Sequence, residues 1–254
     1  GGAAAAAAAT AAAGLGGRAP FSERAMDAAA AYGQLEVVRW LHLHRSEGCT
    51  YRAMDYAAEG GHFETMEWLH AHRMEGCSKN AMNYAAKAGR LDIMEWLFAN
   101  RSEGCSYLAA EYAAAGGHVA ALAFLCRRAE FRTTSLHHRA LERAARGGAL
   151  ACVELLHREG AFGTPAVMDA AAGGGHLGVL EWLHARRAEG CTPDAFYRAA
   201  KGGFLDVCEW LYKKRPQVVL YGNPTHAHRE ALRMGHYQVC EWLERIPGCN
   251  PGGN

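Results

Sequence analysis

The sequence contains no long apolar run and no run of charges of one sign. Nothing in its 254 residues comes near the ~20 consecutive apolar residues of a membrane-spanning helix, so we expect no membrane span. The 27 basic and 26 acidic side chains are spread along the chain and give a formal net charge of +1. Proteins that follow a nucleic-acid backbone usually carry a basic stripe or patch, so nucleic acid is not an expected partner.

Local catalytic and metal-binding motifs are also missing. There is no CxxC pair, no HExxH and no phosphate-cradling glycine loop. A cysteine nucleophile needs a base beside it, and the sequence shows none for Cys126, while Cys152 stands where other repeats carry core residues. We therefore expect no enzyme activity, no cofactor and no metal site.

What the sequence does contain is a repeat. A glycine followed seven residues later by an aromatic residue or leucine occurs eight times. The pairs are Gly33/Trp40, Gly61/Trp68, Gly89/Trp96, Gly117/Phe124, Gly148/Leu155, Gly175/Trp182, Gly203/Trp210 and Gly235/Trp242. The steps between these marker glycines are 28, 28, 28, 31, 27, 28 and 32 residues. Such a period is typical of a solenoid, whose units must stack to bury their apolar faces.

One unit, residues 50–77, shows how each repeat is built. A hydroxyl residue suited to N-cap a helix precedes a first helix rich in alanine, and Gly60 and Gly61 end that helix. A second, amphipathic helix begins near Phe63 and carries the tryptophan row, whose rings we expect to fill space between layers. The hydroxyl residue recurs at Ser22, Thr50, Ser78, Ser106, Thr164 and Thr192. The predicted fold class is all-α, a solenoid of about eight stacked helix–turn–helix repeats without strands.

The repeat divides the chain into three segments. Residues 1–20 are a low-complexity Ala/Gly-rich tail, residues 21–249 form the repeat array, and residues 250–254 are a short C-terminal tail. The first tail contains one Arg and no Ser, so it resembles a transit peptide only weakly. It also lacks the charged segment and strong apolar core of a secretory signal.

Five of the nine cysteines recur at the ends of repeats. They are Cys49, Cys77, Cys105, Cys191 and Cys249. Equivalent residues in stacked helical repeats lie about 8–10 Å apart, whereas a disulfide needs Cα atoms within about 7 Å. We therefore expect free thiols, which fit an intracellular, reducing compartment; cytoplasm and organelle are both open.

The pattern Thr-x-x-Ala-Met-x-x-Ala-Ala-x-Gly-Gly-His at residues 50–62, followed by Glu-x-x-Glu-Trp-Leu, resembles the ankyrin repeat. The resemblance covers roughly residues 21–249 and implies the ankyrin fold and non-catalytic binding of a protein partner. The units are about five residues shorter than the family's 33, which we attribute to loss of the projecting β-turn finger, so finger-based recognition is in doubt. Acidic or amide residues replace the family's usual first-helix histidine. They are Asp27, Asp55, Asn83, Glu111 and Asp169.

The candidate binding surface consists of first-helix positions that vary between repeats. They lie opposite the small buried residues, so we expect them to face solvent on the inner, concave side. The candidate partner-binding residues are Arg52, Asp55, Tyr56, Asn80, Asn83, Tyr84, Glu111 and Tyr112. Tyrosine and arginine are enriched in interface hot spots. The alternative is that the three tyrosines pack on neighbouring alanines as part of the stack.

The function expected from this pattern is a protein–protein interaction scaffold or adaptor, standalone or as a subunit of a larger assembly. The alternative is a metal-binding or enzyme-associated repeat protein that uses the His/Cys stripe, in which His42/His44 and His70/His72 form pairs. Repetition of a favoured residue would give the same stripe without a metal. A helical-repeat RNA binder is a third possibility, disfavoured by the neutral charge.

Overall fold

The computed structural model describes residues 22–128 and 134–250, and every regular element in these ranges is a helix. The first helices of the repeats are α1 (Glu23–Ala31), α3 (Arg52–Gly60), α5 (Lys79–Lys87), α7 (Tyr107–Ala115), α9 (Thr134–Arg146), α11 (Pro165–Gly173), α13 (Pro193–Gly202) and α16 (Pro224–Arg233). The second helices are α2 (Leu35–His44), α4 (Phe63–His72), α6 (Leu91–Asn100), α8 (Val119–Cys126), α10 (Leu150–Arg158), α12 (Leu177–Arg186), α14 (Leu205–Lys214) and α17 (Tyr237–Leu243). One further helix, α15 (Pro216–Tyr221), belongs to neither set. The prediction of an all-α fold built from helix pairs is confirmed.

The chain divides into two units, residues 1–109 and 110–254, and the boundary lies inside α7. In the first unit α1 packs against α3, and α3 against α5. In the second unit α9, α11, α13 and α16 follow one another in the same way. First helices also pack on the second helix of their own repeat. Each unit is therefore a stack of helix pairs, the arrangement in which small repeats bury their apolar faces against neighbours.

Small side chains lie where the first helices meet. Ala57 and Ala58 of α3 and Ala85 and Ala86 of α5 are fully buried. An alanine side chain keeps the backbones of adjacent helices close and loses no rotamer freedom on burial. The larger buried side chains of the same repeats come mainly from the second helices. They include Met66, Leu69, Ile93, Met94 and Leu97.

All eight marker glycines have a positive φ, between 65° and 82°. At the end of α3, Gly61 donates its N–H to the carbonyl of Ala58 at 3.3 Å, and His62 donates to that of Ala57 at 2.8 Å. This pair of bonds is the Schellman arrangement, which needs a left-handed residue and so favours glycine. The predicted glycine helix ends are confirmed.

The connections between repeats are short and contain no strand among the described residues. The connection after α4 contains the ion pair Arg73–Glu75, and the one after α12 contains Arg187–Glu189 at 2.7 Å. Burial alone would raise the pKa of Glu75, but hydrogen bonds from Arg73 and the main chain hold it below its usual value. The connection after α4 also contacts the connection of the preceding repeat. Gly48 in that preceding connection lies so close to Arg73 that an added Cβ atom would be 2.4 Å from Nη2 of the arginine.

The repeat pattern did not predict α15. This helix occupies the extra residues of the 32-residue step between Gly203 and Gly235. Val219 on α15 is fully buried, and Pro216 stands at its first position, where a missing N–H costs nothing. The step length indicated an insertion, but six residues show too little periodicity to predict a helix.

Residues 1–21, 129–133 and 251–254 lie outside the described residues. The predicted tail over residues 1–20 therefore lies there, as does most of the tail predicted over residues 250–254. Asn250 is described, and its N–H donates to the hydroxyl of Thr225 at 2.9 Å, so packing continues one residue beyond the predicted array. Within the described ranges no helix combines the length and the apolar character that crossing a bilayer requires.

Candidate protein-binding face

Two of the predicted tyrosines stack on each other. The rings of Tyr56 on α3 and Tyr84 on α5 have centroids 6.4 Å apart and planes inclined by 17°. Both side chains are half-buried, and so is Tyr112 at the equivalent position of α7. A half-buried ring packs on the stack with one part and presents the other part to solvent. Each of these tyrosine rings is therefore partly packed and partly exposed.

Arg52 and Asn80 lie on the first turns of α3 and α5, and both are exposed as predicted. Their main-chain N–H groups each donate to the preceding hydroxyl, that of Thr50 or Ser78, at 3.1 Å. The amide oxygen of Asn80 accepts a hydrogen bond from Asn83 at 3.3 Å. These two side chains stand on the same helices as the stacked tyrosines and are accessible with them.

Three of the predicted surface residues are buried instead. The exposed fractions are 2% for Asp55, 1% for Asn83 and 2% for Glu111. The prediction that they face solvent is wrong. Their position on an isolated helix points outward, but in the stack Asp55 and Asn83 contact the start of the next repeat and Glu111 contacts arginines of α9. They are acceptors inside the array.

Asp55 and Asn83 hold the start of the next first helix. Asp55 accepts from the main-chain N–H and the hydroxyl of Ser78, and Asn83 accepts from the same two groups of Ser106 at 3.0 and 3.2 Å. Burial raises the pKa of Asp55 by more than the hydrogen bonds from Ser78 lower it. The same contact occurs between Asp27 and Thr50 and between Asp169 and Thr192.

Glu111 makes a different contact. One carboxylate oxygen accepts a hydrogen bond from Arg143 at 3.3 Å, and the other forms an ion pair with Arg139 at 2.7 Å; both arginines are on α9. The two arginines are about half exposed, so one buried carboxylate is bonded by two guanidinium groups at the surface. Charge-assisted bonds of this kind are stronger than neutral ones.

The hydroxyl residues cap helices in part as predicted. Thr50, Ser78, Ser106 and Thr192 each accept a hydrogen bond from the N–H two residues later. Ser22 and Thr164 make no such side-chain bond, so the capping prediction is wrong for these two. The four caps are also the residues that Asp or Asn binds from the preceding repeat. Capping and stacking are thus coupled through one hydroxyl.

The opposite side of the repeats carries a ladder of histidine and tryptophan. A histidine of one second helix meets the tryptophan of the next edge-on, with centroids 5.0–5.3 Å apart. The pairs are His42–Trp68, His70–Trp96, His157–Trp182 and His184–Trp210. The rings fill space between successive second helices, as predicted for the tryptophan row. Sequence reasoning missed the histidine partner, although both residues recur at fixed positions.

An arginine of the following connection completes three of these contacts. Arg73 approaches Nδ1 of His42 at 3.3 Å, and Arg215 approaches Nδ1 of His184 at 3.2 Å. The third contact is Arg187–His157 at 3.2 Å. An imidazole nitrogen that accepts from a guanidinium offers that lone pair to no metal ion. Across the described ranges, no three His, Cys, Asp or Glu side chains are grouped so that they could hold one.

The cysteines are packed thiols, and all nine are free. Cys126 and Cys152, the two considered as nucleophiles, are buried, and burial raises the pKa of each thiol to about 11. Cys208 is fully buried, and its pKa rises to about 12. The thiolate is the nucleophilic form, so groups with such pKa values are unreactive near neutral pH.

Residues 25–110 match the family model of ankyrin repeats over three copies. No curated protein matches the chain. Among solved structures, the human ASB11 ankyrin repeat domain is similar at 23% sequence identity and a TM-score of 0.47, covering 68% of this chain and 84% of that one.

Proposed function

We propose that the protein is a non-catalytic interaction scaffold or adaptor that holds a protein partner on its first-helix face, because residues 25–110 match the family model of ankyrin repeats. Ankyrin repeats generally mediate protein–protein interaction. The stacked pair Tyr56–Tyr84 supports this face most directly. The pair offers rigid aromatic area at positions that vary from repeat to repeat, and such rings are common interface anchors.

Polar groups surround this aromatic pair. Arg52 and Asn80 are exposed on the first turns, and Lys87 of α5 bonds Glu59 of α3 at 2.9 Å near the other helix ends. An aromatic centre with a polar, solvent-accessible rim is the usual anatomy of a protein interface. Tyr112 occupies the equivalent position of α7 and is half-buried like the other two. Asp55, Asn83 and Glu111 act in the proposal by positioning helices.

The side chains of the described residues support a binding role without catalysis. Cys126 and Cys152 are buried with raised pKa values, and four histidines of the second helices pack on tryptophan. The nine free thiols support a reducing intracellular compartment. The scaffold acts either alone or as a subunit of a larger assembly.

Replacement of Tyr56, Tyr84 and Tyr112 together by Ala tests the proposal. We expect proteins that co-purify with the wild-type chain to be lost from the triple variant, while far-UV circular dichroism stays unchanged. The Tyr56–Tyr84 contact is an aromatic pair of the kind that contributes about 0.5–1.5 kcal/mol, so a fall in Tm of only a few degrees is expected.

Exposed aromatics of second helices provide a matched control. Phe98 on α6 and Tyr237 on α17 are 48% and 67% exposed, and their joint replacement by Ala should leave the captured proteins unchanged. Retention of every captured protein by the triple variant would contradict the proposed face. Collapse of its circular dichroism signal would show that the tyrosines are core residues.

A further inference from the structure

A cavity of about 270 Å³ opens on the first-helix face of residues 110–254. It lies among α9, α11 and α13. Its lining residues are Arg146, Ala170, Gly173, Arg198, Lys201 and Gly202. Three cationic side chains thus surround a floor of small residues. The volume is close to the lower end of that of small-molecule pockets and is sufficient for a single ionic group.

The floor of the cavity depends on glycine. A Cβ atom added to Gly173 would lie 3.1 Å from Cβ and 3.2 Å from Cδ of Arg198. The aliphatic stem of Arg198 therefore runs directly over the α11 backbone. A larger residue at 173 would push this arginine outward and fill part of the cavity.

Two of the cations are held by single carboxylates of their own helices. Arg146 pairs with Glu142 at 2.8 Å, and Arg198 pairs with Asp194 at 2.5 Å. All four side chains are between about one third and one half exposed. Exposed pairs one turn apart contribute little to stability, so a ligand anion can share or displace them at small cost.

Lys201 is the least neutralised of the three cations. Its ammonium lies 3.8 Å from Glu230, which is bonded more closely by Arg233 at 2.8 Å. The hydrogen bond from Arg233 lowers the pKa of Glu230, so that carboxylate stays ionised but is shared by two cations. The three cations of the cavity face three carboxylates, and one of these carboxylates is shared with a fourth cation, Arg233.

We propose that this cavity binds the phosphate group of a phosphorylated segment of a protein partner. Each cation already faces one carboxylate, so a second carboxylate adds only one charge and competes poorly. A phosphorylated side chain carries about −1.5 to −2 charges at pH 7 and three strong acceptor oxygens, which match two guanidinium groups and one ammonium. The nature of the partner rests on the function proposed above; binding of the phosphate group does not.

Titration of the purified full chain with inorganic phosphate, followed by the Nε–H signals of arginine in ¹H–¹⁵N spectra, tests the site. We expect a saturable shift of the Arg146 and Arg198 signals that weakens as salt is added. Acetate should bind at least about tenfold more weakly. Absence of a saturable shift, or equal binding of acetate, would overturn the proposal. Because the probe is inorganic, either result leaves the proposed partner binding untouched.

Variants assign the binding to the cavity. The double variant Arg198→Gln/Lys201→Gln should bind phosphate at least about tenfold more weakly, since two charge-assisted bonds are lost. Arg186→Gln/Lys213→Gln removes the same charge from exposed positions of second helices and should bind as the wild type does. Equal affinities of the two double variants would overturn the assignment. Gly173→Ala keeps every charge and should weaken binding several-fold, because the added methyl group displaces Arg198.

Titration with a phosphopeptide distinguishes a site for free phosphate from a site for a phosphorylated protein segment. The pentapeptide Gly-Gly-phosphoserine-Gly-Gly should bind at least as tightly as inorganic phosphate, and its unphosphorylated form should not shift the arginine signals. If inorganic phosphate binds and the phosphopeptide does not, the cavity excludes a peptide and the proposal fails.

Discussion

Asp55 accepts two hydrogen bonds from Ser78, one from the main-chain N–H at 2.8 Å and one from the hydroxyl at 2.5 Å. The same hydroxyl accepts from the N–H of Asn80 at 3.1 Å and so caps α5. One buried carboxylate of α3 therefore fixes the start of the next first helix. This contact ties the order of one repeat to the next.

Substitution of Asp55 separates hydrogen bonding from charge. Asn83 makes the corresponding contact with Ser106 through one amide oxygen, so Asp55→Asn should change the free energy of unfolding by less than about 1 kcal/mol. Asp55→Leu leaves a buried N–H and a hydroxyl without their acceptor and should cost about 2–4 kcal/mol. Urea unfolding followed by circular dichroism measures both.

The direction in which stability changes with pH tests the role of the Asp55 carboxyl group a second time. The pKa of Asp55 is raised in the folded protein, so protonation favours folding, and this contribution is lost as pH rises through the folded pKa. Asp55→Asn lacks this contribution, so it should lose less stability than the wild type as the pH rises from 3 to 6. Asp206→Asn, at an exposed position of α14, is the control and should leave that loss unchanged. A larger loss in Asp55→Asn would contradict the assignment.

Replacement of glycine by alanine should have opposite effects on stability at two positions. Gly61 has a φ of 73°, and a Cβ there would lie 2.0 Å from Nη1 of Arg90. Gly61→Ala should cost about 1–2 kcal/mol, since the left-handed conformation is strained for alanine. Gly178 lies inside α12 without a positive φ, and a Cβ there would meet nothing within 4 Å. Gly178→Ala should stabilise by about 0.5–1 kcal/mol. Equal thermal shifts in the two variants would contradict this account of the repeat ends.

The repeat itself could be predicted from the sequence because each unit repeats the same local signals. Glycine at a fixed period fixes the end of every first helix, as at Gly61, and this chemistry depends only on neighbouring residues. The orientation of Asp55 could not be predicted in the same way. A helical wheel describes one helix, whereas Ser78 of the next repeat covers this position. The constant 23-residue spacing between acceptor and hydroxyl was the signal that could have revealed the pair.

The cavity and α15 depend on geometry that no local pattern records. The distance between Gly173 and Arg198 results from how closely α11 and α13 pack. Arg198 is in the sequence an exposed arginine like many others, and only the stacked helices place it over a glycine. Likewise, the buried position of Val219 depends on the residues that α15 packs against.

The stability of the protein should depend on pH through His184. Burial, followed by the nearby charges of Arg215 and Lys214, lowers the pKa of His184 in the folded protein. The unfolded chain therefore binds this proton more tightly, and stability falls as pH drops below about 6.5 toward the folded pKa. In His184→Gln the side chain still accepts from Arg215 but does not titrate. The difference in Tm between pH 7.5 and pH 5.5 should be smaller in this variant.

The two proteins differ only at residue 184, so the comparison isolates His184. Its ring lies edge-on to Trp210 at 5.1 Å, and loss of that contact affects the variant at both pH values alike. An identical fall in Tm from pH 7.5 to pH 5.5 in both proteins would show that His184 binds its proton equally well in the folded and unfolded chains.

Site-specific photocrosslinking tests the central claim, that the first-helix face binds the partner, most directly. The photoreactive residue p-benzoylphenylalanine replaces either Tyr84 on α5 or Phe98 on α6, two aromatic positions of one repeat on opposite helices. The partner is the protein that co-purifies with the wild-type chain and is lost from the triple tyrosine variant. The account predicts a crosslink to that partner from position 84 and none from position 98. A crosslink from position 98 alone would contradict it.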